Sequence, residues 1–321
     1  MADPGTPTTP TSSPTFVAVQ LAAARIGAFV HRTPVMTSRS LDDWLGTRAF
    51  LKCEHLQRVG AFKYRGATNA VQSLTAEQAA RGVAAHSSGN HGAALALAAR
   101  TRGIPAHIVV PATATRGKRA AIDAYGAQVV LCEPTLAARE ATVARVIAET
   151  GAIEIHPFDN DDVIAGAGTA ALELVGEVAG LNVVVAPVGG GGLLSGTAIA
   201  VHGIDASVRV VGAEPAAADD AARSLQAGRI VPPNPPATIA DGLLTGLSPR
   251  TFAVLSQHVE TIVTVGEDEI VAAMHFVWER TKQLIEPSAA VAVAAVRKAD
   301  FTDARVGIIL SGGNVDLDAR L

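Results

Sequence analysis

Short apolar runs recur along this chain, at Ala49 to Cys53, Ala106 to Val110, Val129 to Leu131, Val183 to Ala186, Val208 to Val211 and Gly307 to Leu310. Alanine-rich stretches with helical spacing separate them. A strand buried on both faces has no polar side to alternate with, so it reads as a continuous apolar run. Runs of that kind joined by helices are the pattern of parallel strands with crossover connections. The fold class expected is therefore α/β, doubly wound, with ligands held at the C-terminal ends of strands. Three turns fit that position: Ser87 to Gly92, Gly189 to Gly192 and Ser311 to Asn314, all rich in Gly, Ser and Asn.

The flanking features set limits. From Phe16 to His31 apolar residues fall at helical spacing, and Pro34 ends that element. The first fifteen residues lack a basic start and an apolar stretch, which predicts a disordered tail rather than a leader or anchor. The prolines of VPPNPP, 231–236, predict a surface excursion. With 321 residues, 49% of them hydrophobic, the chain can bury a large core. Net charge is −4 with scattered basic residues, so no nucleic-acid footprint is expected, and the partner expected is a small molecule. No apolar run of transmembrane length is free of Gly, Pro or charge, which argues against a membrane. The two cysteines, Cys53 and Cys132, sit in apolar runs and suit buried thiols in a reducing cytoplasm.

The turn PVGGGGLLSG places four glycines, Gly189, Gly190, Gly191 and Gly192, between a strand and a helix. Without side chains in the way, backbone N–H groups can converge on an anion at the positive helix end, and phosphate is the natural guest. A dinucleotide is weakened as the guest because the sixth position of G-x-G-x-x-G holds Leu194 or Ser195. Glu214 after the next strand could still mimic a ribose-binding acid. In GAFKYRGA, Lys63 lies beside Phe62 where a strand gives way to a helix. A Schiff-base lysine must be partly desolvated to be neutral, although a surface charge is the commoner fate of such a lysine. HSSGNHG gathers Ser87, Ser88, Asn90 and His91 around two glycines, a density of polar groups suited to a ligand's oxygens. A helix cap would explain one of Ser88 and Asn90. SGGN, starting at Ser311, offers a hydroxyl at a strand end, and ordinary turn chemistry accounts for it equally well.

Taken in order, GAFKYRGA, HSSGNHG, PVGGGGLLSG, AEPAAADD, TIADGL, LIEPSAA and SGGNVDL resemble the fold-type II pyridoxal-phosphate family that includes serine racemase and the serine and threonine dehydratases. The likeness runs from about Thr33 to Asp318. It implies a tryptophan synthase β-like architecture: two doubly wound open-sheet domains with the active site between them. Residues 16–80 and 156–321 would form the large domain and 81–155 the small one. It also implies that Lys63 holds the cofactor aldehyde, Phe62 packs on the ring, Asn90 bonds its 3-hydroxyl, Gly189 to Gly192 hold the phosphate, and Ser311 faces the pyridine nitrogen. A neutral group there makes the ring a weaker electron sink than a carboxylate would, favouring prompt loss of a β-substituent.

The resemblance further implies a substrate carboxylate at Ser87, Asn90 and His91, with help from Thr245, and a second acid at Ser88. Arg139 aligns with a substrate-contacting arginine of the racemase branch, though in TLAAREATVAR it suits a solvated helix face as well. Glu214, Asp220 and the Ala218 carbonyl match that branch's Mg²⁺ or Ca²⁺ site. Phe158 stands where those racemases carry a polar residue, and the chain ends just after SGGNVDL without a regulatory domain, which favours a catabolic dehydratase. The function expected is a serine or threonine ammonia-lyase acting as a homodimer. An amino-acid racemase and a lyase for 3-hydroxyaspartate are the alternatives within the family, and a nucleotide-binding protein without chemistry is the alternative outside it.

Overall fold

The alternation resolves into two separate sheets in the computed structural model, which describes residues 14–114, 116–235 and 237–316. Residues 1–13 of the expected tail lie outside that range. The strands, in chain order, are β1 (Val35–Met36), β2 (Arg48–Lys52), β3 (Val83–His86), β4 (Ala106–Pro111), β5 (Gln128–Cys132), β6 (Ile153–Glu154), β7 (Val183–Pro187), β8 (Arg209–Pro215), β9 (Thr261–Val265) and β10 (Arg305–Ile309). The larger sheet has the order β1-β2-β10-β7-β8-β9 and the smaller β5-β4-β3-β6. Every pairing is parallel except that of β1 with β2.

Helices cover both faces of the larger sheet, which is why its strands read as unbroken apolar runs. Helices Arg39–Leu45, Glu267–Thr281 and Pro287–Lys298 pack on one face. Phe16–Ile26, Asp161–Glu177, Gly192–Ile204 and Pro249–His258 build the core on the other. The first helix stops at Ile26, short of His31. Gly27 weakens it there, and the Gln57 amide takes the His31 backbone out of helical bonding at both ends, 2.9 Å from its N and 2.7 Å from its O. Residues 231–235 form no regular element, as the prolines require. No described helix is long and apolar enough to cross a membrane.

Two crossings of helix Asp161–Glu177 set the site. A Cβ on Gly168 would lie 2.6 Å from the Gly196 carbonyl, and one on Gly166 would lie 2.7 Å from the Gly66 Cα. Small residues thus let one helix lie directly against both the helix that follows the glycine turn and the helix that begins at Lys63. That second helix, Lys63–Ser73, also enters the core of the smaller sheet through Tyr64, Ala67, Ala70 and Val71.

Beneath it lies a charge network in which Lys52, Glu54 and Arg65 are fully buried and Glu173 partly so. Arg65 donates to Glu54 at 2.7 and 2.9 Å and to Glu173 at 2.8 Å through each terminal nitrogen, while Lys52 donates to Glu173 at 2.6 Å. Burial works against the Arg65 charge, but the two glutamates more than offset it and hold its pKa above the ordinary guanidinium value.

Candidate active site

Four helices that begin around the cleft between the sheets, at Lys63, Asn90, Gly192 and Pro287, have no side-chain cap bond. Those beginning at Phe16, Arg39, Ala76, Leu136, Asp161 and Pro249 are capped by Thr15, Ser38, Thr75, Thr135, Asn160 and Ser248. A helix start leaves several N–H groups without partners. At Lys63 and Pro287 the backbone itself supplies acceptors, with Tyr64, Arg65 and Ala289 donating to the Ala61, Phe62 and Glu286 carbonyls, so the starts at Asn90 and Gly192 are the ones that offer donors to a ligand. Gly89, not Ser88 or Asn90, is the N-cap of Asn90–Arg102, so capping does not explain HSSGNHG.

Lys63 is the first residue of its helix. The sequence places a strand directly before it, but after β2 come two 3-10 turns, Glu54–Leu56 and Arg58–Gly60. The turns let 60–62 lie along the SGGN segment: Ala61 bridges Gly312, the Phe62 N–H donates to the Ser311 carbonyl at 3.0 Å, and the Gly313 N–H donates to the Gly60 carbonyl at 2.9 Å. Lys63 and the buried Ser311 are thereby held near one another. The Lys63 amine donates to the Pro157 carbonyl at 2.8 Å and lies 5.2 Å from the Phe62 ring centre. Burial lowers its pKa from 10.5 to about 8.

Pro157 leads into Phe158, whose ring covers the glycine turn so closely that a Cβ on Gly190 would overlap it, while one on Gly192 would lie 2.9 Å from the Phe158 Cβ. On the other flank a Cβ on Gly189 would meet the Leu243 Cα at 2.9 Å. Gly191, at φ +88°, takes the left-handed turn into the helix. The turn thus presents bare backbone, and the 157–158 step links it to Lys63.

Of the HSSGNHG residues, Ser87 accepts from the Gly89 N–H at 3.3 Å and Ser88 is half-buried. Asn90 donates to both oxygens of Glu286, at 2.9 and 3.2 Å, and accepts from the Asn314 amide at 2.8 Å. Glu286 also accepts from the Asn314 N–H at 3.0 Å, so it joins the turn after β3 to the turn after β10. Sequence reasoning assigned it no role; the acid before proline in LIEPSAA was the available signal. His91 turns inward, its Nε2 2.8 Å from the Ile155 carbonyl, with Nδ1 buried and unpartnered. Burial, then the Lys63 charge, press its pKa down to about 3, so it stays neutral.

Arg139 sits near the ends of β3 and β5: its charge adds to burial in lowering the pKa of His86, and it opposes the burial that raises that of Cys132. Its Nε is buried without a hydrogen-bond partner. Cys132 is half-exposed rather than buried as the apolar run implies, because β5 is an edge strand. Thr245 is exposed, in the 241–248 segment whose Leu243 and Leu247 flank the glycine turn.

Asp220 lies behind that segment, where a Cβ on Gly246 would come within 3.3 Å of its Oδ2. Glu214 accepts from the Ala221 and Ala222 N–H groups at 2.9 and 2.8 Å, capping helix Asp220–Ala227 from a distance. Burial pushes its carboxyl up to about 8 and also raises that of Asp220. Ala218 is buried beside them. No cluster of three or more His, Cys, Asp or Glu side chains suited to a metal occurs among the described residues. Any ion here would rest on two carboxylates, a carbonyl and water.

A family model described as "Pyridoxal-phosphate dependent enzyme" matches residues 26–312. The chain belongs to the pyridoxal-phosphate-dependent enzymes. The enzyme is 47% identical over 307 residues to the beta-hydroxyaspartate dehydratase of Paracoccus denitrificans, covering 95% of this chain and 98% of that one. It matches the crystal structure of serine racemase from Dictyostelium discoideum with a TM-score of 0.92 at 46% identity, covering 95% and 100% of the two chains. It matches threonine deaminase isoform 2 of Solanum lycopersicum with a TM-score of 0.88 at 31% identity, covering 98% and 91%. The fold-type II architecture read from the motif order is therefore the enzyme's own. The site fits the cofactor: a glycine cradle with no room for side chains, an uncapped helix start behind it, and a lysine whose amine is partly neutral near pH 8.

Proposed function

We propose that the enzyme is an ammonia-lyase that converts a small β-hydroxy amino acid to a 2-keto acid and ammonia. The observation that carries this reading is the Lys63 amine, lowered to about 8 and tied through Pro157 to the bare glycine turn. Pyridoxal phosphate, when bound, supplies an electron sink for the substrate Cα. Gly189 to Gly192 and the start of helix Gly192–Ile204 would grip its phosphate, Phe62 its ring, Asn90 its 3-hydroxyl and Ser311 its ring nitrogen. Ser87 and Asn90, with the open N–H groups of their helix, would hold the substrate carboxylate beside the neutral His91. Thr245 would close over it from the opposite flank. Lys63 would accept the Cα proton at Nζ, and Ser88 would carry a proton on the other face.

A second reading, a dicarboxylic β-hydroxy substrate such as 3-hydroxyaspartate, is favoured by the unpartnered Nε of Arg139 beside His86. A panel of serine, threonine and 3-hydroxyaspartate stereoisomers, assayed for keto acid and by chiral chromatography, tests all of this. Keto acid formed faster than epimer supports the lyase. Faster epimer formation makes the enzyme a racemase, and no product from any member of the panel rejects the reading.

The oxygen-only donor set of Glu214 and Asp220, buried beside Ala218 and its carbonyl, supports a Mg²⁺ or Ca²⁺ site. A cation there would tie the start of helix Asp220–Ala227 to the 241–248 segment. Mg²⁺ should raise the melting temperature of the wild type but not that of Glu214→Gln. The strands of the smaller sheet all fall within 81–155, which supports taking that stretch as the small domain. The free thiols support a cytoplasmic enzyme. A homodimer is the assembly we infer, to be checked by analytical ultracentrifugation.

A further inference from the structure

At the end of the larger sheet opposite the active site, two helices finish side by side. His202 lies in the last turn of Gly192–Ile204 and His258 in the last turn of Pro249–His258. Their Nδ1 atoms are 3.1 Å apart, with ring centres 5.3 Å apart and planes tilted by 58°. The His202 Nε2 is 3.2 Å from the Val208 carbonyl. A carbonyl accepts only an N–H, so Nε2 carries the proton and Nδ1 presents a lone pair toward His258. A backbone carbonyl behind the ring is the usual partner of a metal-binding histidine, fixing its tautomer and aim. The last carbonyls of both helices add negative potential at this end.

The pair borders a surface hollow of about 270 Å³, lined also by Ser207, Arg209, Gln257 and Glu260. Arg209 and Glu260 pair with each other at 2.6 and 2.8 Å, which leaves the two imidazoles, bonded to each other, as the remaining ligand-type groups lining the space. For a cation about 2.0–2.1 Å from each nitrogen, a 3.1 Å separation subtends roughly 100°. That lies between the octahedral and tetrahedral angles.

We propose that His202 and His258 bind one divalent transition-metal cation of the Cu²⁺ and Zn²⁺ class through their Nδ1 atoms, with water completing the coordination. The site is separate from Glu214 and Asp220, whose hard oxygen ligands suit a different class of ion. It does not depend on the reaction assigned to the enzyme. A cation there would clasp the far ends of two helices whose near ends flank the glycine turn.

The test is a Cu²⁺ titration of chelator-treated holoenzyme followed by electron paramagnetic resonance. A saturable signal with hyperfine splitting from two imidazole nitrogens is expected. His202→Gln and His258→Gln should each lose that signal while keeping the rate of keto-acid formation. Acylation of histidines in the wild-type chain, mapped by peptide mass, needs no variant: Zn²⁺ should protect both residues together. The proposal fails if no saturable two-nitrogen signal forms, if the variants retain it, or if Zn²⁺ protects neither residue. Such results would leave a neutral imidazole pair sharing one N–H.

Discussion

The two sheets share one winding rule but differ in how deeply they are packed. In the larger, β7, β8 and β10 are buried almost throughout, and helix Pro287–Lys298 is buried from Pro287 to Val296. In the smaller, β5 has no fully buried residue, and helix Leu136–Thr150 buries only Val143 and Val146. The glycine turn and Ser311 extend from the densely packed sheet. Ser87, Ser88, Asn90 and Arg139 extend from the thinly packed one. The comparison teaches a division of labour: the groups proposed to grip the cofactor phosphate and ring nitrogen extend from the densely packed sheet, while most of those proposed to meet the substrate extend from the thinly packed one, with Asn90 serving both.

The strongest way to break this comparison is at Lys63, which straddles both halves. Lys63→Ala removes a reactive amine without removing core volume. It should keep the fold, lose the visible absorbance that borohydride abolishes in the wild type, and lower turnover by roughly 10³-fold or more. A retained band would place the cofactor on another lysine. The lowered pKa gives a second readout. Capture of the cofactor by apoenzyme needs the neutral amine, so its rate should climb with pH up to about 8 and then level off. A solvated lysine would keep climbing toward 10.5.

Next in size is the anchor below that helix. Glu54→Gln leaves Arg65 buried with one of its two carboxylates gone, which should cost about 3–5 kcal/mol in a urea denaturation curve. A cost near zero would mean that apolar packing alone seats the Lys63 helix. Arg139→Ala then probes the softer half: KM for 3-hydroxyaspartate should rise roughly 10–100-fold, with serine and threonine unaffected. A uniform rise would make Arg139 a structural residue. The smallest effect should come from Val146→Ala, about 1 kcal/mol, against about 2–3 kcal/mol for Val293→Ala in the densely packed helix. Equal costs would erase the contrast between the sheets.

The parallel strands of both sheets were legible where they are rich in Val and Ile, as in β4, β7, β8 and β10. β3 reads VAAH and betrays itself only by the polar turn that follows, while β1 and β6 are too short to show any period. The site turns were legible because Gly, Ser and Asn cluster at them. The anchor was not. Arg65 in a helical pattern reads as a solvated charge, and its partners Glu54 and Glu173 lie on separate elements that only the tertiary fold unites. Glu286 was hidden in the same way, since an acid before a helix-starting proline has an ordinary local explanation.

The Phe158 ring over Gly190 also bears on how this enzyme could have arisen. With the ring in place, no residue larger than glycine fits at 190, because its Cβ would overlap carbons of the ring. A smaller side chain at 158 would relax that demand, so the two positions form a ratchet: the aromatic residue could enter only over a glycine, and once it had entered, the glycine could no longer drift. Relatives with a small residue at the position of Phe158 should therefore tolerate alanine at the position of Gly190 better than this chain does. A lineage leaving the aromatic state would have to change Phe158 first.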